Sequence, residues 1–136
     1  MPTNDSRNVP ADLNFKIIGS DLFQPLLTLT LSRQQDCSVT GTAQVTAHEI
    51  CREMNISYKL TGLYHVIPAT GRILVKIVGY SKNQHKFVID MELDHYWNTG
   101  LASYSFENGV ERSIKNAAVS RDLFTTMHLN FKSLWV

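Results

Sequence analysis

From Leu13 onward the chain alternates apolar and polar residues with period two, and turn-forming residues break the alternation roughly every ten residues. Leu13, Phe15 and Ile17 alternate with Asn14 and Lys16, and Leu27, Leu29 and Leu31 alternate with Thr28, Thr30 and Ser32. Val39, Gly41, Ala43 and Val45 follow the same rule against Thr40, Thr42, Gln44 and Thr46. So do Ile56, Tyr58, Leu60, Gly62 and Tyr64 against Ser57, Lys59, Thr61, Leu63 and His65. This spacing puts one face of each strand in the core and the other in water. Threonine suits the wet face, because its branched carbon fits the pleat and its hydroxyl stays hydrated.

Arg72 to Tyr80 is apolar at both parities and is expected to lie centrally. Phe87, Ile89, Met91 and Leu93 face inward, opposite Val88, Asp90, Glu92 and Asp94. Leu101–Phe106 and Val110–Ile114 flank Asn108-Gly109, a type I′ hairpin signal that asks for positive φ at both residues. None of these connections is long enough for a crossover helix, so neighbours pair antiparallel. The expected fold is all-β: an antiparallel sandwich or flattened barrel of about eight strands in meander order.

Residues 1–12 carry two prolines and no periodicity and are read as a loose arm before a β domain over 13–119. The segment 120–136 is expected to dock. Leu123, Phe124, Met127, Phe131, Leu134 and Trp135 fit a helical face with Ser120 as N-cap, while Met127, Leu129 and Phe131 equally fit a strand. So much apolar surface needs a cover, and a homodimer formed through this segment is one way to supply it.

The charge balance narrows the partners. Thirteen basic and twelve acidic side chains give a net charge of +1. No field of one sign points to nucleic acid, and basic residues are not interleaved with aromatics as in single-strand binders. Hydrophobic residues make up 43%, which supports a core, but no run is long enough for a membrane-spanning helix. The polar start lacks an apolar leader core, so the expected compartment is the cytoplasm; export without a leader stays open.

Chemistry-bearing residues are scattered. Asp90, Glu92 and Asp94 form an outward row spaced about 6.8 Å apart. A row does not converge on a cation, so the expectation is charge pairing, with Lys76 opposite Asp90 and Arg72 opposite Asp94. Cys37, His48 and Cys51 offer metal-binding atoms without metal-site spacing. They are read as free thiols, buried or half-buried, with Cys37 and Cys51 unbonded, and a plain imidazole. Histidines 48, 65, 85, 95 and 128 form no metal motif. No nucleophile elbow or phosphate loop occurs, and no cofactor is expected.

The segment Asp94-His95-Tyr96-Trp97-Asn98-Thr99-Gly100 stands out, with two large aromatics and hydrogen-bonding groups at a strand end. His95, Tyr96, Trp97 and Asn98 are the candidate ligand-binding residues, with Tyr64 or Tyr80 joining only if the fold brings them near. The alternative is that Tyr96 and Trp97 plug the end of the β-core.

PLLTLTLS, VTGTAQVT, ISYKLTGLYHVIPATGRILVKIVGY and FVIDMELDHYWNTGLASYSF, in this order, resemble a family of small bacterial all-β domains of unknown function, found mainly in proteobacteria. The resemblance covers residues 13–119 and implies one compact β domain, with no active-site residues to carry over. The leading functional expectation is a non-enzymatic binding or interaction module for a glycan, a small apolar ligand or a protein. A self-assembling or exported structural, toxin-like component is the alternative. Less favoured is a barrel-mouth enzyme with Asp94 and His95 as acid and base.

Overall fold

Alternation commits each stretch to a strand with an inward face, and in the computed structural model these faces share one interior. The structure describes residues 9–20, 24–49 and 52–122. Eight strands follow in order: β1 (Asp12–Ile18), β2 (Leu26–Arg33), β3 (Ser38–Glu49), β4 (Arg52–Val66), β5 (Ile73–Tyr80), β6 (Lys86–Leu93), β7 (Thr99–Glu107) and β8 (Glu111–Arg121). Each pairs antiparallel with the next, and β1 returns to β8 from Phe15 opposite Arg121 to Ile18 opposite Ala118. The sheet is a closed barrel rather than a sandwich. A closed barrel has no central strand, so a central position does not account for the apolar outer face of β5.

The interior is filled by side chains. Trp97, Tyr58, Phe15, Phe87 and Phe106 are the bulkiest, with leucines from β1, β2 and β4 between them. An eight-stranded barrel is just wide enough for such a filling. Tyr58 and Phe87 lie 5.1 Å apart between ring centroids, and Phe87 continues to Tyr104 at 6.1 Å.

Two buried phenols differ in how they are satisfied. The Tyr58 hydroxyl donates to the Glu107 carbonyl at 2.7 Å, whereas the buried Tyr104 hydroxyl has no partner. Burial pushes both phenols up to about 12, with Glu107 adding to the effect at Tyr58 and Arg112 opposing it at Tyr104. Tyr58→Phe is therefore expected to lose about 0.5–1.5 kcal/mol, while Tyr104→Phe is neutral or stabilising. Because the folded chain holds these protons more tightly than the unfolded chain does, their contribution is complete below pH 10 and disappears between pH 10 and about 12. Urea unfolding at a series of alkaline pH values checks both points; the double phenylalanine variant should show a shallower alkaline decline.

Local details differ from the sequence reading in instructive ways. The β7–β8 loop is three residues long, and only Gly109 takes positive φ (83°); Glu107 still pairs with Glu111. β8 runs on to Arg121, so Ser120 is a strand residue opposite Lys16 and Thr99 and caps no helix. The arm is not loose from Val9 onward: Val9 is buried, and Arg33 Nη2 donates to the Val9 and Pro10 carbonyls at 2.7 and 2.9 Å. Residues 1–8 and 123–136, including the docking expected of the tail, lie outside the described residues.

Candidate functional site

The strand directions gather the start of β1, the end of β8 and the loops after β2, β4 and β6 at one mouth of the barrel. The segment with the unusual aromatics is the loop after β6. It is built as a tight turn: Trp97 N donates to the Asp94 carbonyl at 3.0 Å, and Asp94 Oδ1 accepts from Asn98 N at 2.7 Å and Thr99 N at 3.1 Å. The Asp94 carboxylate is thus engaged in holding the turn. Arg72 pairs instead with Glu92, Nε to Oε2 at 2.9 Å, so the expected partner Asp94 is replaced by its neighbour. The turn is short enough to force Trp97 into the left-handed region at φ 61°.

That conformation swings the indole inward. Trp97 is 1% exposed, meets Tyr64 edge-on at 5.0 Å, and carries the Arg33 guanidinium 5.0 Å from its ring. Its aromatic faces are covered by protein, so it acts as a plug rather than a platform. His95 and Tyr96 remain exposed, with ring centroids 3.9 Å apart. Asn98 is half-buried, and its Oδ1 has no partner. The four candidate residues therefore split into a plug, an exposed ring pair and a buried amide. Tyr64 does reach the plug; Tyr80 is exposed at the end of β5, which points to the opposite end of the barrel.

Burial pushes the Arg33 guanidinium below its ordinary range, and nearby Arg121 adds to this while Tyr64 opposes it. Arg33 Nε and Arg121 Nη1 are both buried without a partner. With Asn98 Oδ1, three unpartnered polar atoms mark this mouth. Such atoms each carry a desolvation penalty that no hydrogen bond offsets.

The cysteine and histidine candidates separate. Cys37 is exposed at φ 66°, contrary to the expectation of a buried thiol, because it sits in the tight loop leading into β3. Cys37 and His48 stand at opposite ends of β3, about 36 Å apart at strand rise, and cannot share an ion. Cys51 lies outside the described residues. Among the described residues no group of three or more acidic, histidine or cysteine side chains converges as a metal site requires.

A concavity lies elsewhere, on the outer wall. A groove of about 760 Å³ crosses β4, β5 and β6 and reaches the mouth at Asp36 and Cys37. Its floor is apolar: Leu63 (63% exposed) and Val78 (38%) lie open, and Leu74 and Val88 are half-buried. The register explains the patch, since Val78 is opposite both Thr61 and Val88, and Leu74 is opposite His65. Asp36, Lys76 and Asp90 form the polar rim, with Lys76 opposite Asp90 as expected. The Ser38 hydroxyl and N–H hold the Asp36 carboxyl below its usual range, keeping it anionic. Sequence reading passed over this face, although apolar residues at outward parity on three consecutive strands were its signal.

A family model described as a domain of unknown function (DUF1842) matches residues 14–111. The chain belongs to this family. The matched stretch of the DUF1842 domain runs from within β1 to the first residue of β8, so it contains both the Trp97 turn and the groove. The remainder of β8, which closes the barrel, follows it. No curated protein matches the chain.

Proposed function

We propose that this DUF1842 domain is a non-catalytic interaction module, and that its outer-wall groove is the docking surface for an apolar polypeptide segment. The observation that carries the reading is the open apolar floor of Leu63, Leu74, Val78 and Val88 between charged rims. Contiguous exposed apolar surface rimmed by polar groups marks a contact site. The packed interior favours a ligand on the wall over a small molecule inside the barrel. An extended peptide suits the surface, since alternate side chains of a strand point into the groove while the others stay wet. Asp36 and Asp90 favour a segment with one cation among apolar residues. Proposing an enzyme with Asp94 and His95 as acid and base is less attractive, because one oxygen of the Asp94 carboxylate already accepts two backbone N–H groups and so ties the side chain to the turn.

The test uses a fluorescein-labelled synthetic peptide of alternating leucine, phenylalanine and threonine with one lysine, followed by anisotropy. The wild-type chain is expected to bind it. Leu63→Asp with Val78→Asp should weaken binding at least about tenfold, the equivalent of about 1.4 kcal/mol. The melting temperature should barely change, because both positions are exposed. His95→Ala with Tyr96→Ala should leave binding intact. Binding lost in the second pair and retained in the first would move the site to the β6–β7 turn and overturn the proposal.

A further inference from the structure

Closing the barrel does not pair every strand along its whole length. We infer that the start of β4 is an open sheet edge, on which a second copy of this chain adds the same segment antiparallel across a twofold axis.

Parity fixes which backbone groups the edge presents. Tyr64 N donates to the Cys37 carbonyl, and this pair continues the β3–β4 register, so even-numbered residues of β4 bond to β3. Ile67 N donates to the Arg72 carbonyl in the same way, so odd-numbered residues bond to β5. β5 stops at Tyr80, opposite Lys59, and Ser81 turns away to bond with His85 and Gln84. β4 extends further, to Arg52, beside β3 alone. Glu53, Asn55 and Ser57 therefore aim their N–H and C=O groups at a side where no described strand lies.

A bare edge is a template for another strand, and proteins blunt such edges with lysine, proline or a bulge. β8 shows these guards. No described strand pairs with its β1 side from Glu111 to Ala117, and that stretch carries Lys115 and the bulge at Asn116. The β4 stretch from Glu53 to Ser57 has no lysine, proline or register shift.

This edge complements itself. With Asn55 on the twofold axis, Glu53 faces Ser57 of the second copy, and all three odd residues exchange backbone hydrogen bonds across the axis. Met54 then lies opposite Ile56 of the second copy on the inner face, where both are half-buried in one chain and gain cover. On the outer face, exposed Glu53 comes diagonal to exposed Lys59 of the second copy, within reach of a long side chain. Opposite charges thus meet on each side of the axis.

Hydrogen exchange of the full chain, with sedimentation at the same concentrations, decides it. The concentrated chain should be a dimer. Dilution should release monomer and speed exchange of the Glu53, Asn55 and Ser57 amides at least about tenfold. The Met54 and Ile56 amides, bonded to β3 in either state, should hold their rates. Asn55→Pro removes an edge donor and no bond to β3, and Asn55→Lys sets like charges opposite each other; each should weaken dimerisation at least about tenfold. A chain that is monomeric at every concentration overturns the inference. So does a dimer whose Glu53, Asn55 and Ser57 amides exchange as fast as the monomer's, since its contact lies elsewhere. Protection of these amides that ignores dilution shows an edge covered within one molecule and overturns it too. Undiminished dimerisation of either variant, with Met54 and Ile56 still protected, does the same.

Discussion

Trp97→Ala is expected to destabilise the domain by about 3–5 kcal/mol, the range for truncating a large buried aromatic. In a domain of this size the loss lowers the melting temperature by about 10–20 °C. The indole is enclosed, touches Tyr64 edge-on and supports the Arg33 guanidinium, so its removal opens the barrel end and leaves Arg33 without its apolar cover. The tight turn holds position 97 at positive φ, an unusual conformation for a bulky residue that alanine inherits without the compensating burial. Tyr96→Ala is the control. That ring is 42% exposed, and its loss should move stability by no more than about 0.5 kcal/mol. Equal effects at the two positions would show that Trp97 is not the plug.

Gly62→Val should have the larger consequence, a loss of about 4 kcal/mol or more that leaves little soluble folded protein. A Cβ at Gly62 would lie 2.2 Å from the Lys76 carbonyl oxygen and 2.8 Å from the Ile77 Cα. Both are backbone atoms of β5, so relief requires moving a strand. Gly41 on the adjoining β3 is equally tight, 1.9 Å from the Thr30 carbonyl oxygen. Where β2 to β5 coil this closely, a side chain does not fit, and the coiling closes the barrel. Thr61→Val, one residue away on the outer face, should be almost neutral. Soluble yield and urea unfolding of the two variants read the difference.

Most strands and their pairing were legible because period two is a local property. The register of β5 on β6, with Tyr80 opposite Lys86 and Lys76 opposite Asp90, follows from the length of the loop between them. The end of β8 was hidden by a bulge. Ile114 points inward, Lys115 and Asn116 both point outward, and Ala117 returns to the core, with Asn116 at φ 55°. One extra residue shifts the alternation, and small alanines beyond it give a weak signal. Closure was not legible, because it depends on four residue pairs between strands about a hundred residues apart.

The candidate site was legible in part. The β6–β7 turn was visible as an aromatic cluster, but residue type does not tell a plug from a platform. That difference lies in the positive φ at Trp97, which turns the ring into the barrel. The groove needed the register first. Leu63, Val78 and Val88 look like isolated exceptions to alternation until pairing sets Val78 beside Val88 and the β4–β5 pairing brings Leu63 onto the same wall.

The central claim is that this barrel binds on its wall and not in its interior. A methyl-resolved titration of the full chain with the leucine–phenylalanine–threonine peptide addresses it directly. Outer methyls of Leu63, Leu74, Val78 and Val88 should shift progressively, while inner methyls of Leu27, Leu29 and Val75 stay fixed. Shifts confined to the inner set would contradict the account.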